Sequence, residues 1–316
     1  MINKSNLFIS PLLTNVSLRY SNDNYVAEKL LPIVQVKKDT GQIATYGMDN
    51  LRVANSLRAQ GASTNEINHT ISTGAHYILE EHSIKELVTK EEMENADKPI
   101  SPKIDAVENL MDRMLVIKER SLATALSATA TMTQNTTLAG TDQWNDYANS
   151  DPIGDLQTGI DAVRSGSGKR ANTLLFAYNT FAQLVHHPDF VNRAQGAVVV
   201  TADVVSQLLK STFPFIKNVI IADAQYNSGV EGGADALAEL WDKVALVLYI
   251  EPRPSLKSRS LGFTYSKGAS RQVDEITMAS GGEAWDRKGD FVRVTDKYDQ
   301  KLVDVTCGYL VKAAIA

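Results

Sequence analysis

Cysteine is nearly absent from this chain of 316 residues: Cys307 stands alone. No disulfide can form within one chain, and a reducing compartment suits its folding. Long apolar runs are missing as well. No stretch approaches the roughly 20 residues that a bilayer crossing needs. Met1 to Tyr20 carries Lys4 without a continuous apolar core, which argues against an export signal; the chain is expected to be soluble and cytoplasmic when made. A basic excess is the third absence, since 32 Lys and Arg against 37 Asp and Glu leave a formal charge of −5. Coating nucleic acid with a whole surface takes a concentration of Lys and Arg that this composition lacks, so only weak or local contact with it is expected.

What is present begins with a long helical pattern over residues 102–129. Ser101 and Pro102 suit a helix start, because serine can accept from a first-turn amide and proline gives up an amide that is unpaired there anyway. Ile104, Val107, Met111, Met114, Leu115, Leu122 and Leu126 recur at three- and four-residue steps. Asp112, Arg113, Lys118 and Glu119 are assigned to the opposite, polar face. The result is an amphipathic rod on the order of 40 Å long.

Before the rod, residues 1–31 show no sustained period and read as an arm that needs a neighbour. Ile33, Val34 and Val36, then Lys37 to Gly41, then Ile43 to Tyr46 suggest a hairpin around a glycine turn. Residues 47–70 hold few large apolar groups, residues 77–84 resume an extended pattern, and 86–97 is acidic and expected helical. A loop of this length without its own core is commonly functional or binds partners. After the rod, Asp151 and Pro152 open a helix to about Val163, and Ser165 to Arg170 forms a turn. Thr173 to Tyr178, Val219 to Asp223 and Lys243 to Glu251 read as buried strands, with helices from Asn179 to His187 and Thr201 to Ser211. Residues 151–252 are therefore expected to be a self-contained α/β unit. Val303, Val305, Cys307, Tyr309 and Val311 alternate strictly, predicting a tail strand that packs with the rod as a platform around the inserted unit.

Candidate chemistry is sparse. Ser165-Gly166-Ser167-Gly168-Lys169-Arg170 resembles a phosphate-cradling loop, but Val163 stands where the first glycine belongs and Arg170 where Ser or Thr belongs. It also follows a helix and not a strand, so an ordinary helix-to-strand turn is the reading. His186, His187 and Asp189 are the best metal or acid-base group. Adjacent helical histidines point about 100° apart, however, so a helix C-terminus with partly cationic imidazoles before Pro188 is preferred. His69, His76 and His82 do not share one strand face and read as surface residues. Cys307 sits in an alternating pattern and reads as a small buried hydrophobe. No catalytic, cofactor-binding or metal-binding residue is assigned.

Charge is blocked along the chain. Residues 80–98 hold seven acids against Lys85, Lys90 and Lys98, whereas 252–273 hold Arg253, Lys257, Arg259, Lys267 and Arg271 with no acid. Such blocks either register subunits against one another or form two unrelated solvated faces.

The order of parts resembles the tailed-bacteriophage major capsid proteins, whose Hong Kong 97-like fold is shared by encapsulin shells. Local phrases carry the same resemblance: Leu30 to Val36, Trp144 to Asp155 with Ser150-Asp151-Pro152, His187-Pro188-Asp189-Phe190, and Leu240-Trp241 leading into Val244 to Tyr249. It implies an α+β fold with an inserted α/β axial domain. On this reading residues 1–31 are the N-terminal arm and 32–100 the extended loop. Residues 101–150 are the first part of the peripheral domain with spine helix 102–129, 151–252 the axial domain, and 253–316 the second peripheral part. It further implies a shell subunit without enzymatic activity. Hexamers and pentamers build an icosahedral head around double-stranded DNA, with scaffolding, portal and decoration proteins as partners and no membrane.

The resemblance implies the virion as location, after assembly in the host cytoplasm. It also implies scaffolding from a separate protein or from a pro-segment outside this sequence. Some members weld neighbours by a lysine–asparagine bond, but no residue here is matched to that chemistry. The alternatives are an encapsulin-like cargo compartment and a soluble α/β enzyme with residues 151–252 as its catalytic domain.

Overall fold

The computed structural model describes residues 8–20, 22–46, 52–67, 71–97, 100–194, 201–230, 232–255, 258–268, 271–278 and 282–316. In chain order the first half holds β1 (Phe8–Ile9), α1 (Pro11–Arg19), α2 (Ala27–Leu30), β2 (Ile33–Val36), β3 (Thr40–Tyr46), β4 (Ile71–Ile78), β5 (Glu80–Thr89), α3 (Lys90–Asn95), α4 (Pro102–Ser127) and β6 (Asn135–Thr137). Then come α5 (Pro152–Ser167), β7 (Thr173–Ala177), α6 (Tyr178–His186), α7 (Pro188–Arg193), α8 (Ala202–Thr212), β8 (Asn218–Ala222), β9 (Gln225–Asn227), β10 (Leu237–Glu239) and β11 (Ala245–Leu248). The chain ends with β12 (Gly262–Lys267), β13 (Gln272–Ile276), α9 (Glu283–Asp286), β14 (Gly289–Leu302) and β15 (Gly308–Lys312).

Two sheets organise these elements. The platform sheet runs β1-β13-β14-β12-β2, with β5 on the other side of β14. Strand β14 is long enough to pair with β13 and then β12 along one edge while β5 covers the other from Gly289↔Thr89 to Tyr298↔Glu80. The second sheet runs β6-β15-β11-β7-β8 and is flanked by α5, α6 and α8. Its central strands β7 and β11 are buried on both faces, which accounts for their continuous apolar runs Leu174–Ala177 and Ala245–Leu248.

Helix α4 spans both layers. Its N-terminal half buries Val107, Leu110, Met111 and Met114 against Val273, Val292 and Val294 of the platform. Its C-terminal half places Leu122, Ala123 and Leu126 in a core shared with Leu246, Leu248 and Leu310 of the second sheet. One rod therefore carries the apolar stripe of two cores, and the apolar periodicity read from sequence follows from that. Helix α5 is bounded as its sequence dictates: the Asp151 side chain accepts from the Gly154 amide, and Gly168 caps the end at φ +68°.

Several expectations are corrected. Residues 11–31 are not a loose arm: Leu13 joins the platform core, and Val26, Ala27, Leu30 and Leu31 join the core under the second sheet. The rod ends at Ser127, and Ser101 makes no side-chain cap bond. Strands β2 and β3 are not a hairpin, since β2 pairs with β12 in parallel and β3 with β4. Residues 86–89 continue β5, leaving a short α3 whose Thr89–Glu92 capping box fixes its start. The expected turn at 165–170 is the last turn of α5 and its glycine cap. The tail strand does not join the platform: β14 ends at Leu302, a short 3-10 segment spans Val305–Cys307, and β15 pairs with β11. The α/β sheet is thus completed by β6 and β15, from outside 151–252. No helix among the described residues is long and apolar enough to cross a membrane.

Candidate assembly surfaces

The β3–β4 ribbon leaves the body from a firm root. Tyr77 is buried and stacks on Tyr265 at 4.8 Å, beside Ile43, Val34 and Phe263. Gly41 lies directly under that ring; a Cβ there would stand 2.5 Å from the Tyr77 hydroxyl, so the close approach requires glycine. Asp39 accepts from Lys297 at 2.8 Å and Lys267 at 3.2 Å, and these bonds hold its carboxyl below the usual carboxylate range. Beyond this root the chain loses support. Residues 52–67 are exposed throughout, including Val53 at 100%, Leu57 at 84% and Ile67 at 68%. Burying such side chains is worth about 1.5–3 kcal/mol each, so an anchored ribbon with an apolar, uncovered tip is suited to another surface.

A second feature escaped the sequence reading. Glu119, assigned to the polar face of the rod, is 0% exposed. Its Oε2 accepts from the amides of Val26 at 3.0 Å and Ala27 at 2.6 Å, and its Oε1 from Trp241 Nε1 at 2.5 Å. Burial pushes its carboxyl above the ordinary range, with these donors opposing the shift. Lys118 is buried too, pairing with Glu28 at 3.2 Å and lying over the Tyr298 ring. The signal was available: Glu119 falls four residues after Leu115 and three before Leu122, inside the apolar stripe.

The chemical candidates do not converge. His186 is exposed, whereas His187 is buried and begins α7: its Nδ1 accepts from the Asp189 amide at 3.2 Å and its Nε2 faces Ser150 Oγ at 3.1 Å. An accepting Nδ1 needs a neutral ring, and burial lowers the imidazole pKa. The expectation of a partly cationic helix C-terminus is therefore corrected for His187. The glycine-rich 165–170 segment sits at the C-terminal, negative end of α5, the wrong pole for phosphate. Cys307 is buried, and that burial drives its thiol pKa up to about 12. His76 and His82 lie on β4 and β5, His82 stacked on Tyr298, while His69 is outside the described residues. Among the described residues no group of three or more His, Cys, Asp and Glu is placed to hold a metal.

The charge blocks are largely used within the chain. Arg259 pairs with Asp304, Lys267 with Asp39, and Arg271 with Asp296 at 3.4 Å. On the acidic side Glu92 caps α3, Glu86 accepts from Asn109, and Lys85 pairs with Glu283. Lys257 lies outside the described residues. Arg259, Lys267 and Arg271 thus take their acidic partners from outside residues 80–98.

No family model matches the chain. Among curated proteins it is 25% identical over 312 residues to the major capsid protein of Burkholderia phage BcepMu, covering 96% of this chain and 95% of that one. It is 24% identical over 314 residues to the major capsid protein of Pseudomonas phage JBD67, covering 98% and 97%. Among solved structures it matches a phage-related protein from Bordetella bronchiseptica with TM-score 0.75 and 21% identity, over 97% of each chain. The SrpI encapsulin of Synechococcus elongatus matches with TM-score 0.51 and 10% identity, over 90% of this chain and 85% of that one. The encapsulin likeness is one of fold alone; along nearly its whole length this chain is similar to phage major capsid proteins, and it has the Hong Kong 97-like fold of phage capsids and encapsulins.

Proposed function

We propose that this chain is the subunit of a tailed-phage head, a structural protein without enzymatic activity that assembles with its own copies into a closed icosahedral shell. Hexamers and pentamers of the chain enclose double-stranded DNA, which meets the net acidic wall only through weak, non-specific contacts. Separate scaffolding, portal and decoration proteins complete the head, and assembly takes place in the host cytoplasm. In this reading residues 32–100, which carry the β3–β4 ribbon, are the extended loop, α4 the spine helix, 151–252 the axial domain, and 101–150 with 253–316 the peripheral domain.

The observation that carries the proposal is the β3–β4 ribbon, rigid at Tyr77 and uncovered over residues 52–67. A monomer gains nothing from exposed Val53, Leu57 and Ile67; a shell covers them with the neighbouring subunit. The test joins Ile43 to Ala75 through a short glycine turn, removing the tip while keeping the root. The expected product folds, by circular dichroism and melting, and forms no shells in electron micrographs. Normal particles from it would refute the assignment. Nuclease protection and absorbance of wild-type particles separate a DNA-filled head from a cargo compartment.

A further inference from the structure

The α/β sheet ends on β8, whose second edge pairs with no strand among the described residues. An open edge presents unpaired N–H and C=O groups that an extended segment can bind. Along it runs a groove of about 460 Å3 bordered by Val26, Lys29, Lys210 and residues 218–221. Val219, Ile220 and Ile221 are only half-buried there. Lys29 and Lys210 are exposed, and neither belongs to an ion pair among the described residues.

The same unit carries the opposite charge just beyond β8. Residues 223–242 include five acids and no Lys or Arg, and β9 and β10 fold them into an antiparallel ribbon. Val230 and Leu237 are exposed on it. Asp235 and Glu239 bond to the amides of Asn227 and Asn179, not to cations. Burial, then the charges of Asp223 and Asp242, raise the Glu239 carboxyl above its ordinary range. The ribbon is acidic and apolar; the groove is basic and apolar.

We propose that the open edge of β8 is a docking site for a second copy of this chain, whose acidic β9–β10 ribbon lies along it between Lys29 and Lys210. The two surfaces differ, so the contact is head-to-tail, the kind that closes rings when the rotation allows. This inference rests on the shell reading above and adds to it a named surface pair that sets the order of subunits around each ring.

The experiment uses the full chain with Lys29→Glu/Lys210→Glu, with Asp223→Lys/Asp235→Lys, and with all four changes, each checked for folding by circular dichroism. Each two-fold variant is expected to lose ring-sized species in native mass spectrometry, and the four-fold variant to regain them. An equimolar mixture of the two-fold variants is expected to give alternating hexamers and no pentamers, because an odd ring cannot alternate. If a reversal unfolds the chain, Lys29→Gln/Lys210→Gln and Asp223→Asn/Asp235→Asn provide the reading, with weakened assembly that has lost its salt dependence.

Two-fold variants that assemble like the wild type, or a four-fold variant that stays monomeric, overturn the proposal. So do intact particles of the lysine variant that retain less DNA, which would make the groove a phosphate-facing surface. A wild-type chain that forms no rings at all would instead overturn the shell reading.

Discussion

Truncating Glu119 to alanine strands three buried donors at once: the amides of Val26 and Ala27 and the indole N–H of Trp241. Each buried donor left unpaired costs about 1–3 kcal/mol. The sum is reduced because the carboxylate itself is costly to bury, as its raised pKa indicates, and because water can enter the vacated space. A net loss of about 3–5 kcal/mol is expected, at the low end of the sum for three unpaired neutral donors. For a chain of this length, 3 kcal/mol corresponds to roughly 5 °C in melting temperature.

Urea unfolding followed by tryptophan fluorescence measures the loss, and Trp241 reports from the site itself. Limited trypsin digestion adds a local reading, with cleavage after Lys29 accelerated as residues 26–27 lose their anchor. Glu119→Gln keeps one acceptor but turns an NH2 group toward a donor, so it is expected to lose slightly less. Combined with Trp241→Phe it should lose less than the sum of the single changes, since both remove the same bond. The pH trend follows from the raised pKa. The wild type gains stability relative to Glu119→Gln as pH falls from the folded pKa to the unfolded carboxylate value; the gain is complete below the unfolded value and is lost as pH rises through the folded pKa. A loss under about 1 kcal/mol for Glu119→Ala, with unchanged cleavage after Lys29, would refute the view that this carboxylate joins the three segments.

Two further outcomes follow. His187 is held neutral by burial and by the Asp189 amide, so its contribution is complete above about pH 6.5 and is lost as pH falls from there through the folded pKa; His187→Gln is expected to flatten melting temperature between pH 7 and pH 5, and an unchanged slope would remove the argument. Arg259→Glu faces Asp304 in a largely buried pair and is expected to lower stability by about 3 kcal/mol or more, measured by urea unfolding, whereas Arg253→Glu at an exposed position leaves it within about 0.5 kcal/mol; equal losses at both sites would contradict the pairing.

Local signals in the sequence located most helices and strands, because each depends on nearby residues. The α4 stripe, the Asp151 cap of α5 and the apolar runs of β7 and β11 all lie where periodicity and capping chemistry put them. Pairing between distant strands was not legible. Val303 to Val311 alternates although it starts just past the end of β14 and runs through a 3-10 segment into β15, so it is no single strand, and β14 and β15 belong to different sheets. Residues 11–31 looked unsupported because their partners, such as Leu122 and Trp241, lie about a hundred or two hundred positions away. The exposed ribbon tip was foreseeable from composition. The buried Glu119 was readable only as a polar break in an apolar stripe, and its donors come from separate parts of the chain.

The path of the chain bears on how force passes between the two layers. An inserted unit joined only through its two linkers is free to pivot. Here β6 and β15, which flank the insertion in sequence, enter its sheet, β15 beside β11 and β6 beside β15. The Trp144 indole, buried at the same junction, donates to Asp155 at 2.8 Å, and its backbone amide donates to the Ala314 carbonyl at 2.7 Å. Helix α4 then extends one rigid element from this sheet to the platform, with Glu119 fastening residues 26–27 and Trp241 to its flank. A load on the α/β unit therefore reaches the platform through packed cores and buried hydrogen bonds before it reaches any linker. The exposed residues 52–67 between β3 and β4 lie outside that network and carry none of this load.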